Sequence, residues 1–193
     1  MDTAYFPLDC VLSLMTLMES GAAIESATVG REGGVGLLAA LSPRHSVCRC
    51  IVQVPGKAAR ISVGALSDAV GRSPGLRAVI ERHNDALMGH AMQSVACNAL
   101  HSVEARFCRW LLSCHDRIDV DTISLTQEFL ADMLGVQRTT VTAVAGALQS
   151  KGLIQYRRGI VDILDRAGIE AMACECYGAV RRTYQTLLPK SFG

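Results

Sequence analysis

"LADMLGVQRTTVTAVAGAL", residues 130–148, is good helix sequence interrupted near its front by Gly135. Inside a helix, glycine costs about 1 kcal/mol relative to alanine. The polar run Gln137, Arg138, Thr139 and Thr140 follows before apolar residues resume at Val141, so the glycine marks a break. Upstream, Thr126 can cap a helix whose first turn carries Glu128 and whose apolar side is Leu130, Met133 and Leu134. Gly135 falls where that helix must stop, and glycine accepts the left-handed conformation of a helix terminus. Val136 is an apolar plug, and a second helix is expected from Gln137 or Arg138. Its buried side is Val141, Val144 and Leu148; its opposite side is Arg138, Thr139, Thr142, Ala143 and Gly146. Ala131 is small, so the two helices can cross closely. The pattern predicts a helix-turn-helix.

The second helix is expected to end at Lys151-Gly152. "LIQYRRGIVDIL", residues 153–164, then reads as a tight hairpin with Arg157-Arg158-Gly159 at its tip. Two helices followed by a basic-tipped hairpin make a winged helix, which an ordinary helical hairpin would not. A helix fits the major groove of B-DNA and its N-terminal side chains reach base edges, while hydroxyls and arginines supply phosphate contacts. The expected DNA-contacting residues are Thr126, Gln127, Gln137, Arg138, Thr139, Thr140, Thr142, Arg157 and Arg158.

Outward from this segment, residues 3–63 read as short strands punctuated by Gly and Pro, an antiparallel sandwich or roll. From Gly64 the spacing turns helical. Ser73-Pro74 looks like an N-cap and an N1 proline opening a helix of some 25 residues. Its stripe, Leu76, Ile80, His83, Leu87 and Ala91, is the expected seam of a two-helix dimer, the alternative being that the helix packs only on its own domain. His83 and His90, seven apart, are expected to face their symmetry mates there. Ser102 and Glu104 open a further helix with the stripe Phe107, Trp110, Leu111 and Cys114, and residues 119–122 read as a loop.

Half of the 193 residues are apolar, enough for a sizeable core, although aromatics are only 5%. Net charge is +1, which by itself announces no polyanion partner. From residue 138 onward, however, eight basic residues face four acidic ones, a mild basic bias compatible with phosphate contacts. The first residues lack a basic stretch leading into an apolar one, and no apolar run approaches the ~18 residues of a membrane span. A cytoplasmic protein without membrane contact is expected. Its eight cysteines are then reduced thiols, and the Cys48/Cys50 and Cys174/Cys176 pairs are weak metal signals.

"LTQEFLADMLGVQRTTVTAVAGALQSKGLIQYRRGIVDILDRAGIE" resembles the C-terminal winged helix of the Crp/Fnr superfamily of bacterial transcription regulators. "YFPLDCVLSL", "ATVGREGGVGL" and "QVPGKAARI" resemble that family's cyclic-nucleotide-binding-type β-roll. The implied fold is α+β: a partial roll at 1–72, a long dimerisation helix at 73–101 and a winged-helix domain at 102–193. The implied protein is a homodimer that reads a roughly palindromic operator on double-stranded DNA. RNA polymerase is a further implied partner, and a signal acts through roll and helix.

Carried over by position, Arg138 matches the family's recognition-helix arginine, which contacts a guanine. Thr140 and Thr126 match residues that contact DNA backbone. Thr139 replaces a common glutamate and Ala143 an arginine of the cyclic-AMP-responsive members, which implies a different operator. The family's phosphate cassette survives only as Gly30, Glu32, Gly33 and Gly34, a weak effector-binding candidate. Arg44-His45-Ser46 does not reproduce the family's Arg-Ser pair. About three early roll strands are expected to be missing, and no cofactor or effector is identified.

An enzyme needs a nucleophile with a base, or a metal. Cys114 and His115 are sequence neighbours and point about 100° apart on a helix, a poor dyad. Cys97 and His101, four apart, are spaced to share a metal near the helix junction, but ordinary packing accounts for them equally. No catalytic residue and no metal site are assigned. The competing function is a ligand-, redox- or metal-sensing regulatory module that acts through protein contacts without DNA.

Overall fold

The computed structural model describes residues 2–42, 48–118 and 120–189; Arg44, His45 and Ser46 therefore lie outside the described residues. The N-terminal third is a roll of antiparallel strands. β1 (Thr3–Pro7) pairs with β5 (Ala58–Ser62), and β2 (Val11–Leu17) lies between β3 (Ala23–Val29) and β4 (Arg49–Val54). A 3-10 turn, Leu37–Ala40, lies between β3 and β4.

β2 explains how the parts join. Its residues Val11 to Met15 are all buried, so both faces of the sheet are covered rather than one. Leu12 and Leu14 pack with Val29 and Val35, and Leu87 of the long helix covers them. Val11 and Met15 on the other face enter the main core, together with Trp110, Leu111, Leu130 and Leu148.

α1 (Val63–Arg72) precedes α2 (Pro74–Leu100), the long helix. Ser73 Oγ accepts from Leu76 N at 3.2 Å and Pro74 occupies the first turn, as the sequence predicts. α3 (Val103–His115) is capped by Ser102, which accepts from Ala105 N. β6 (Thr122–Ser124), β8 (Ile160–Ile163) and β7 (Ile154–Arg157) form a second antiparallel unit, so Thr122 opens a strand where a loop was expected. α4 (Gln127–Leu134) and α5 (Arg138–Ser150) lie between β6 and β7.

Two elements were not anticipated: α6 (Arg166–Met172) and α7 (Cys176–Leu187). α7 packs along α2, burying Ala86 of α2 against Val180 and Tyr184. Much of the stripe expected to form a dimer seam packs instead within the protomer. Ile80 is buried with Ala4 and Leu37 of its own protomer, and Leu76 packs beside it. Leu87 is half-buried on the roll, and His83 is buried against the turn after β3. His90 is buried edge-on against Tyr184, so both histidines are enclosed within the protomer. Burial lowers the pKa of both, and that of His90 falls far below its ordinary value. The apolar residues that α2 leaves exposed are instead Met88, Met92 and Val95, at 54%, 66% and 72%. No helix among the described residues is long and apolar enough to cross a membrane.

Candidate nucleic-acid interface

The site is built on the glycine turn. Thr126 Oγ1 accepts from Phe129 N at 3.2 Å and starts α4. Gly135 ends it with φ 62° and ψ 41°, the left-handed conformation. Gly135 N donates to Asp132 O, and Val136 N reaches back to Ala131 O at 3.0 Å, closing the helix end. Ala131 is buried at the crossing, and Val141, Ala145 and Leu148 turn α5 onto the core. Leu134 O accepts from the buried Arg106 of α3, which places a cation at the negative end of α4. Nothing in the local sequence pattern announces that contact, because the two residues lie on different helices.

With that face buried, Gln137, Arg138, Thr139, Thr142, Ala143 and Gly146 are all exposed, and Thr140 is half-buried. Gln127, at the first residue of α4, spans the two helices. Its Oε1 accepts from Thr142 Oγ1 at 3.1 Å and from Arg138 Nε at 3.4 Å. Thr142 Oγ1 also lies 3.1 Å from Arg138 O. The arginine is thus held at the head of α5 rather than swinging freely.

The hairpin turn is narrower than the expected tip. Arg158 (φ 49°) and Gly159 (φ 79°) alone connect β7 to β8, the positive φ pair of a two-residue turn. Arg157 and Arg158 are exposed beside it. The wing is tied down by Tyr156, whose hydroxyl donates to Leu125 O at 2.9 Å and whose N–H donates to Gln149 Oε1 at 2.8 Å. Burial raises the Tyr156 phenol pKa, with the Arg138 charge pulling it back. All nine residues expected to meet DNA therefore come from one continuous α4–α5–wing region. Gln127 and Thr140 are half-buried there, and the others are exposed.

Residues 105–172 match the Crp-like helix-turn-helix domain. Over the chain as a whole, the fold is similar to that of Crp/Fnr-family regulators. Superfamily folds match across most of the chain. FixK2 from Bradyrhizobium japonicum aligns with a TM-score of 0.75 and 15% identity, over 90% of this chain and 88% of that one. A CRP-family transcriptional regulator from Thermus thermophilus gives 0.70 and 21%, over 89% and 88%. A CRP/FNR-family regulator from the same organism gives 0.65 and 20%, again over 89% and 88%. At these identities the likeness speaks for the fold. No curated protein matches the chain at a significant level. The Crp-like helix-turn-helix of residues 105–172 is the part of the chain through which DNA would be bound.

On the sensor side, a cavity of about 360 Å³ opens between roll and α2. Leu14, Ala27, Val35, Leu37 and Leu87 dominate its wall, and its described lining holds no lysine or arginine. Of the four weak effector candidates only Gly34 lines it. Glu32 instead accepts from Gly30 N at 3.1 Å and from Arg117 Nε at 2.8 Å. Gly33 lies so close to His83 that a side chain there would collide with the ring.

A second cluster lies outside the sites assigned from the sequence. Cys97, His101, Cys174 and Cys176 bring one donor atom each to within 4.8 Å of one another. Cys97 and His101 were visible as a pair. Cys174-x-Cys176 was visible as a motif, but no spacing rule links it to residues more than seventy positions away.

Proposed function

We propose that the protein is a homodimeric regulator that reads a roughly palindromic operator, each protomer placing the head of α5 in one half-site. The observation that carries this reading is Arg138, exposed at the first position of α5 and held by Gln127. A bidentate arginine on guanine is the commonest specific major-groove contact. Thr139 and Ala143 offer a hydroxyl and a methyl on the same face, which suits an operator unlike those read by a carboxylate and a second arginine. Thr126, Thr140, Arg157 and Arg158 supply backbone contacts.

The dimer surface is assigned to the outward stripe of α2. Met88, Met92 and Val95 are spaced four and three apart and exposed, the pattern of a helix seam awaiting an identical helix. The effector is assigned to the roll–α2 cavity and to an apolar chemistry, in keeping with its aliphatic wall.

Selection of bound sequences from random DNA tests the reading. A palindromic consensus with a guanine in each half-site is expected. Arg138→Ala should weaken binding to that consensus by about 1–3 kcal/mol at fixed salt. Unchanged affinity would remove Arg138 from base recognition. Met92→Glu should yield monomers by sedimentation, and a stable dimer in that variant would move the seam elsewhere.

A further inference from the structure

We propose that Cys97, His101, Cys174 and Cys176 form a tetrahedral zinc site that staples the end of the long helix to the α6–α7 joint. The inference is independent of the DNA reading. Cys97 and His101 lie one turn apart at the C-terminal end of α2, and Cys176 is the first residue of α7 with Cys174 two residues before it. Cys97 Sγ is 3.5 Å from Cys174 Sγ, and His101 Nδ1 is 3.5 Å from Cys176 Sγ. For zinc bonds of about 2.3 Å to sulfur and 2.0–2.1 Å to nitrogen, tetrahedral ligand atoms sit roughly 3.5–3.8 Å apart. Two donor pairs already have that spacing, and all four donor atoms lie within 4.8 Å of one another.

The surroundings fit a closed site. The three cysteines are 0%, 8% and 1% exposed, so the sulfur side of the cluster is shielded from solvent. Three thiolates and one nitrogen are the ligand types of a structural zinc centre. Glu175 Oε1 lies 3.8 Å from His101 Nε2, on the ring edge away from the sulfurs. A carboxylate there favours a proton on Nε2 and leaves the Nδ1 lone pair for the ion. Gln93 Nε2 donates to Cys176 Sγ at 3.0 Å, as an outer hydrogen bond to a thiolate would. Zinc with three thiolates carries one net negative charge, and the Arg109 cation acts on both Cys97 and Cys174. Binding releases the thiol protons to solvent and changes no oxidation state.

The consequence is mechanical. His101 is the C-cap of α2, and α3, which leads into the reader, starts two residues later. An ion here fixes the α2–α3 corner and the start of α7 as one body.

The test is metal analysis of the full-length protein, purified anaerobically without chelator from zinc-supplemented cells. One zinc per chain is expected, together with thiolate-to-cobalt charge-transfer absorption after exchange with Co²⁺. His101→Ala and Cys176→Ser should lose the zinc and the cobalt band while remaining folded by circular dichroism. Cys108→Ser, a buried cysteine outside the cluster, should keep both. Zinc below about one-tenth of an equivalent in folded wild type, with no cobalt band, would overturn the proposal. So would full metal content in both ligand variants, or a Cys97–Cys174 disulfide by mass spectrometry in the anaerobic protein.

Discussion

Glu32 and Arg117 meet in a salt bridge closed off from solvent: Nε lies 2.8 Å from Oε1, with the two side chains 0% and 2% exposed. Glu32 belongs to the turn after β3 and Arg117 follows α3, so the pair joins the roll to the DNA-reading part. Arg117 also donates to Ser113 O at 2.6 Å, and a Cβ on Gly30 would lie 2.6 Å from its side chain. Removing one partner of such a pair leaves a buried charge uncompensated. Glu32→Ala should therefore destabilise the protein by about 3–5 kcal/mol in denaturant unfolding. Glu32→Ala combined with Arg117→Met should recover most of that loss. Equal losses in the single and double variants would mean that the pair does not act as a unit.

Gln127 predicts a separation of binding from stability. Gln127→Ala deletes the oxygen that holds Arg138 and Thr142 but touches no core residue. Operator affinity should fall by about 0.5–1.5 kcal/mol, the worth of an ordinary hydrogen bond, with thermal stability nearly unchanged. An equal drop on operator and on random DNA would show that Gln127 does not act through the base contact proposed for Arg138.

Gly135 is constrained twice. Its positive φ disfavours any side chain, and an added Cβ would lie 3.0 Å from Ile24 Cδ1 of β3. Gly135→Ala should cost about 1–2 kcal/mol from backbone strain alone. If the packing matters too, Ile24→Ala should mask part of that loss in a double-mutant cycle; strict additivity would assign all of it to the backbone.

A pH dependence follows from Glu25. Its carboxyl is fully enclosed between the roll and α3, and Ser13 Oγ donates to it at 2.5 Å. With the Gln53 amide oriented so that its oxygen accepts from Trp110 Nε1 at 3.1 Å, its nitrogen donates to the same carboxyl at 3.3 Å. Burial pushes the Glu25 pKa up to about 7, against the opposing pull of Ser13 and Arg109. The folded state thus holds a proton that the unfolded chain releases near 4.5. This contribution is full below 4.5 and is lost as pH rises through 7, at most about 3 kcal/mol. Glu25→Gln should flatten melting temperature against pH across that window, and an unaltered slope would place the titration elsewhere.

The reader was legible because its signals are local. A threonine cap, a glycine in left-handed backbone, an apolar side spaced three and four, and an Arg-Gly turn each act within a few residues, so the chain sets them before any long-range contact forms. The same locality left the facing of α2 undecided. Its spacing announced a helix with an apolar stripe, but Ile80, His83 and Leu87 could turn toward a second copy or toward the molecule's own roll with equal ease. Packing of β2 and the turn after β3 on one side, and of α7 on another, decided the matter and left Met88, Met92 and Val95 outside. Glu32 with Arg117, and Cys97 with Cys174, are joined only by tertiary folding, since each pair lies more than seventy residues apart. Residue type and spacing determine which helices and turns form. Which of their faces meet depends on the docking of every other element.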